Sequence, residues 1–142
     1  MKRTTPKMYL GVDWGAKKIG LAVGDDHTNV AVPWLIVKDL AEVLQLIKKE
    51  AIDVIVVGEP KHLSGKSDSK GFEEFLAELK KKTKLPVELI DERLSTRMAN
   101  SLGYDKKMTV GQNKKVKQGD DAVAAMLILQ TFLDKQSYGS DV

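Results

Sequence analysis

The chain has 142 residues, 23 Lys and Arg against 20 Asp and Glu, and no Cys. That length fits a single domain over 1–142, at roughly 100–200 residues per domain, with 1–7 and 135–142 as flexible ends. The missing cysteines exclude a disulfide scaffold, a thiolate metal site and a cysteine nucleophile. Two histidines, His27 and His62, argue against a His-ligated zinc site or a Ser-His triad. No apolar run approaches the ~20 residues of a membrane span, and the start MKRTTPKMYLG lacks a signal-peptide apolar region. The expectation is a soluble, cytoplasmic protein.

The predicted elements alternate short apolar runs with helical periods. Met8–Trp14 and Ile19–Gly24 are β-rich and are separated by Gly15-Ala16-Lys17-Lys18, the pattern of a hairpin. Val30–Val37 is a third strand, in which Pro33 lacks an N–H and suits an edge or a bulge. Leu40, Val43, Leu44 and Ile47 recur at helical spacing over Leu40–Glu50. Asp53–Gly58 is almost unbroken Val and Ile, as in a parallel strand buried on both faces. Phe72, Phe75, Leu76 and Leu79 mark a helix over Phe72–Lys82. Pro86–Ile90 is a fifth strand, followed by a short helix over Leu94–Leu102. The stretch 103–119, with three glycines, reads as a loop, and Asp120 and Asp121 open a last helix, Ala122–Leu133. The order βββαβαβα predicts an α/β protein with a mixed five-stranded sheet and helices on both faces, strands four and five running parallel to strand one.

Sites in such sheets gather at the carboxyl ends of parallel strands. Asp13 ends strand one, Glu92 follows strand five, and Asp120 and Asp121 begin the last helix. Three carboxylates from separate elements at one edge would make an oxygen-rich cage suited to Mg²⁺ or Mn²⁺. Two such ions roughly 3.5–4 Å apart activate a water and stabilise the leaving oxygen in phosphodiester hydrolysis. Each acid also has a plainer reading: Asp13 as a cap of the turn at Gly15, Glu92 as a partner of Arg93 or Arg97, and one of Asp120 and Asp121 as an N-cap. The net charge is only +3. Yet Lys106, Lys107, Lys114, Lys115 and Lys117 face only Asp105 within 101–119, and Lys2, Arg3, Lys7, Lys17 and Lys18 face only Asp13 within 1–18. Such clusters suit a polyanion, or simply keep a surface soluble.

The run Gly11-Val12-Asp13-Trp14-Gly15-Ala16-Lys17-Lys18-Ile19-Gly20 resembles the opening motif of the YqgF family. The resemblance continues through Val56-Val57-Gly58-x-Pro60 with Gly65, then Asp91-Glu92-Arg93-Leu94-Ser95-Thr96, the Lys114-Lys115 region, and Asp121 followed by Ala124-Ala125 and Ile128-Leu129-Gln130. It covers about Leu10 to Leu133, with the motifs in order. It implies an RNase H-like fold and a metal-dependent endonuclease using Mg²⁺ or Mn²⁺ that cleaves to leave a 5′-phosphate. Asp13, Glu92 and Asp121 then form the catalytic and metal-binding triad. The implied task is 5′-end maturation of pre-16S ribosomal RNA, with Holliday-junction resolution on branched DNA as the alternative. The implied partners are structured RNA, with branched DNA as the alternative, and the pre-ribosomal particle, with no membrane, the protein being a monomer or weak dimer.

In that frame Lys17, Lys18, Arg93, Lys114, Lys115 and Lys117 are substrate-binding candidates. Arg93 is equally a structural partner of Asp91, and Trp14 and Trp34 stack on bases or pack in the core. Asp120 and Glu59 stand where the family often has apolar residues; Glu59 reads as an exposed loop acid or, less readily, as a fourth carboxylate. Two rivals come from other classes. An actin-like ATPase shares the Asp13-x-Gly15 hairpin, but needs two such halves. A noncatalytic nucleic-acid-binding module needs the basic surface without the three acids.

Overall fold

The computed structural model describes residues 5–60, 66–94 and 119–140, with side chains described except at 66–70, 119–121 and 137–140. The predicted short helix over Leu94–Leu102 and loop 103–119 therefore fall almost wholly outside the described residues, apart from a helical turn at 92–94 and the helix start at Gly119.

Five strands, β1 (Met8–Trp14), β2 (Ile19–Asp25), β3 (Ala31–Val37), β4 (Val54–Glu59) and β5 (Val87–Asp91), form one sheet in the order β3-β2-β1-β4-β5. The hairpins β1–β2 and β2–β3 are antiparallel, whereas β4 runs parallel to β1 and β5 parallel to β4. Pro33 sits on the outer strand β3, where a missing N–H leaves no ladder bond unmade. Beside it the pairing shifts from Leu21↔Leu35 to Ala22↔Pro33, so Trp34 is the extra residue of a bulge.

Three long helices join the strands: α1 (Leu40–Lys49), α2 (Lys66–Thr83) and α3 (Gly119–Ser140). Asp39 caps α1 by accepting from the Glu42 N–H at 3.1 Å, and the Glu42 carboxylate accepts from the Lys38 N–H, closing both ends of the first turn. Helix α2 begins six residues before the predicted Phe72, because Lys66–Gly71 carries no apolar stripe for a periodicity to register. Helix α3 begins earlier and ends later than the predicted Ala122–Leu133, which puts Asp120 and Asp121 in its first turn instead of at its N-cap.

Strand alternation divides the core in two. Leu10, Val12, Ile55 and Val57 point to one face and pack with Val43 and Ile47 of α1 and Phe72, Phe75 and Leu79 of α2. Tyr9, Val54, Val56 and Ile90 point to the other and pack under Ala125, Ile128, Leu129 and Leu133 of α3. On this second face the helix lies close. A Cβ on Gly11 would stand 2.7 Å from the Ala125 carbonyl oxygen and 2.8 Å from Leu129 Cβ, and one on Gly58 would collide with Ile128 Cδ1. Only glycine lets helix backbone and sheet meet at that distance.

Candidate active site

The carboxyl edge of the parallel strands collects the acids. Val12 pairs with Val57, so Asp13 comes one step later, beside Gly58 at the end of β4. Gly58 in turn pairs with Ile90 and Glu59 with Asp91, which brings Glu92 to the same edge. Asp13 alternates with Tyr9 and Gly11 and so belongs to the α3 face, as does Ile90, two residues before Glu92. Asp13 and Glu92 are both half-buried. Between their strands, β4 presents Gly58 to this face, so no β4 side chain intervenes.

Helix α3 runs antiparallel to β1. Ala125 rests on Gly11, and three turns further on Gln136 bonds the Tyr9 hydroxyl. Four residues back from Ala125 is about 6 Å along the helix. Two residues on from Gly11, to Asp13, is about 7 Å along the strand. The first turn of α3, which holds Asp121, thus reaches the level of Asp13. By position, Asp121 stands four residues before Ala125 and seven before Ile128. The positive end of the helix dipole points to this edge as well.

Gln130 fixes the helix at the other side of the sheet. Its amide oxygen accepts from the Ala31 N–H at 2.9 Å, and its amide nitrogen donates to the Asn29 carbonyl at 2.8 Å and to Asp134 at 3.0 Å. The sequence reading gave Gln130 no role. Its place in the Ile128-Leu129-Gln130 run was the available signal.

The remaining candidates divide. Lys17 and Lys18 are exposed on the β1–β2 turn, next to the end of β1 that carries Asp13. Arg93 is bound to Asp91, Nε lying 3.1 and 3.2 Å from the two carboxylate oxygens and Nη2 2.7 Å from Oδ2. This pairing raises the guanidinium pKa. Trp14 packs edge-on against Phe72 at 5.9 Å and tilted against Phe75 at 6.4 Å, so its ring belongs to the core beneath α2. Trp34 is likewise partly buried against that core. Glu59 corrects an expectation: it is no loop acid but the half-buried last residue of β4, and alternation places it with Val57 on the face opposite Asp13. Lys114, Lys115 and Lys117 lie outside the described residues. Among the described residues no three His, Cys, Asp or Glu side chains gather to hold a metal ion. Asp13 and Glu92 are described; the Asp121 side chain is not.

A cavity of about 520 Å³ opens at the opposite, amino-terminal edge, lined among others by Lys7, Tyr9, Glu88, Phe132, Lys135 and Gln136. Tyr9 and Asp13 are four residues apart on β1, about 13 Å, so this cavity is separate from the acidic edge.

Known structures share this architecture. Thermus thermophilus RuvC in complex with a Holliday junction substrate has a TM-score of 0.64 at 14% identity, covering 92% of this chain and 96% of that one. Fowlpox virus resolvase, in a complex with Holliday junction DNA, has a TM-score of 0.54 at 14% identity, covering 91% and 98%. This likeness defines the class: an α/β protein of RNase H-like fold.

Sequence comparison narrows it. The family model RuvX, described as Holliday junction resolvase, matches residues 7–135. A protein from Rickettsia bellii named "Putative pre-16S rRNA nuclease" is 35% identical over 133 residues, 88% of this chain and 84% of its own length. Another of that name from Rhodopirellula baltica is 37% identical over 139 residues, 92% and 79%. The chain belongs to the RuvX family, the one its motifs resemble under the name YqgF, and is a hydrolytic nuclease.

Proposed function

We propose that the whole chain acts as one nuclease domain in the cytoplasm, cutting precursor 16S ribosomal RNA within the pre-ribosomal particle during 5′-end maturation, with Asp13, Glu92 and Asp121 as its acidic site. One observation carries the reading. The strand register sets the ends of β1 and β5, which carry Asp13 and lead into Glu92, at one sheet edge, and α3 starts over the β1 face that Asp13 shares. Relatives named as pre-16S rRNA nucleases support the substrate. Among the described residues no helix is long and apolar enough to cross a membrane.

The donor set fits a hard cation. The three candidates are carboxylates, and a chain without cysteine offers no thiolate to compete. Asp13, Glu92 and Asp121 would hold Mg²⁺ or Mn²⁺, which when bound supplies positive charge to the attacking water and the leaving oxygen. Lys17 and Lys18 neutralise phosphates beside the scissile bond, and Lys114, Lys115 and Lys117 hold the strand further out. Such contacts position a nucleic acid without reading its sequence. Water adds to phosphorus as the bond to the 3′ oxygen breaks, leaving a 5′-phosphate and a 3′-hydroxyl.

The test is Mn²⁺-dependent cleavage of end-labelled RNA carrying the 5′ extension of 16S ribosomal RNA, run beside a four-way DNA junction and the Asp13→Asn protein. The expected result is RNA cut by the wild type alone, with the junction intact. Paired cuts in the junction alone would make it a resolvase. Tight, salt-dependent binding with no cleavage of either would make it a binding module.

A further inference from the structure

We propose that Asp91 and Arg93 form a clamp that positions Glu92. The inference rests on the reading of Glu92 as a site acid. Strand β5 ends at Asp91, and residues 92–94 are already helical. Glu92 therefore stands at the switch from strand to helix, where a small change in two backbone torsions swings its carboxylate away from the edge. The Asp91 and Arg93 side chains close a ring around that switch. Asp91 Oδ1 accepts from the Arg93 backbone N–H at 2.9 Å, holding the turn itself. Both carboxylate oxygens also accept from the guanidinium, Oδ1 from Nε at 3.1 Å and Oδ2 from Nη2 at 2.7 Å. A planar fork on a planar carboxylate fixes orientation as well as distance, which an ammonium cannot do.

The pair is too open to the solvent to matter much for the fold. The Arg93 side chain is 56% exposed and that of Asp91 24%, and exposed ion pairs contribute little to global stability. Its effect is local. Displacing a catalytic group by about 1 Å can cost up to about 100-fold in rate. The inner edge of Arg93 is taken up by Asp91.

The test compares Asp91→Ala, Arg93→Ala, Arg93→Lys and the Asp91→Ala/Arg93→Ala double variant. Maximal cleavage rate, Mn²⁺ affinity by calorimetry, RNA affinity and Tm are measured for each. The clamp predicts that each single variant loses roughly tenfold in rate and several-fold in Mn²⁺ affinity, while RNA affinity and Tm hold. Lysine at 93 should not rescue. The double variant should be no worse than either single one, because partners in one unit are not additive. A normal rate in Asp91→Ala, or additive losses, would overturn the clamp. So would weakened RNA binding in Arg93→Ala alone, which would make Arg93 a phosphate contact. Glu92→Gln separates the two levels of the account. If it cleaves like the wild type, the site reading fails and the clamp with it; if it is inactive while Asp91→Ala is normal, only the clamp fails.

Discussion

The two faces of the sheet are built on different terms. Beneath α1 and α2, large side chains meet large side chains, Leu10, Val12, Leu21, Ile55 and Val57 against Phe72, Phe75 and Leu79. Beneath α3, Tyr9, Val56 and Ile90 also pack, but Gly11 and Gly58 let Ala125, Ile128 and Leu129 come down onto the strand backbone. The first face keeps its helices at a distance that side-chain repacking can adjust. The second holds helix against strand at van der Waals contact with backbone, which does not adjust. Asp13 belongs to the second face. A site shared between a strand end and a helix start needs a fixed spacing between the two, and close packing through glycine provides it.

Changes on each face should therefore fail differently. The largest effect belongs to Asp13→Asn, which should lower turnover by about a thousandfold or more while RNA affinity and Tm stay near wild type. Leu79→Ala, on the far face, should instead cost about 2–5 kcal/mol of stability and leave the rate per folded molecule unchanged. Denaturant unfolding paired with single-turnover kinetics distinguishes the two.

Gly11→Val should cost about 3 kcal/mol or more, since its side chain must displace the Ala125 carbonyl, and any folded fraction should cleave slowly because α3 has moved from the edge. Gln130→Ala comes next, at about 1–3 kcal/mol, because the Ala31 N–H and Asn29 carbonyl lose their partner. Local opening of the Ala31 amide, read by hydrogen exchange, should rise with it.

The smallest effect lies at the β2–β3 turn. The Thr28 N–H, and after it that of His27, holds the Asp25 carboxyl below its ordinary pKa. A depressed carboxylate adds stability above its unfolded pKa and loses it as pH falls through the folded value. Asp25→Asn should therefore flatten the acid side of the stability profile below about pH 4, and only slightly, because the group is near the surface.

The sheet was legible because its strands carry the signal directly. Val54 to Val57 read as a strand buried on both faces, and Pro33 read as an edge or bulge residue and sits on the edge strand next to the bulged Trp34. The arrival of Asp13 and Glu92 at one edge followed from the βαβ order alone. What stayed hidden depends on neighbours distant in sequence. Nothing local in Lys66–Gly71 marks helix, yet α2 begins there because the turns beyond it are anchored under Trp14. Glu59 looked like a loop acid because strand ends have no sharp signature, and only the register with Asp91 reveals its place and its face. The choice of Asp121 over Asp120 rests on the motif resemblance, since the local signals of a helix start fit either aspartate.

The convergence of three acids on one ion is the centre of this account, and Mn²⁺ calorimetry tests it without any substrate. Wild type, Asp13→Asn, Glu92→Gln, Asp121→Asn, Asp120→Asn and Glu59→Gln would be titrated in one buffer. Binding should be about tenfold or more weaker in the first three variants and of wild-type affinity in Asp120→Asn and Glu59→Gln. Wild-type affinity in Asp121→Asn, or a loss confined to Asp120→Asn or Glu59→Gln, would contradict it.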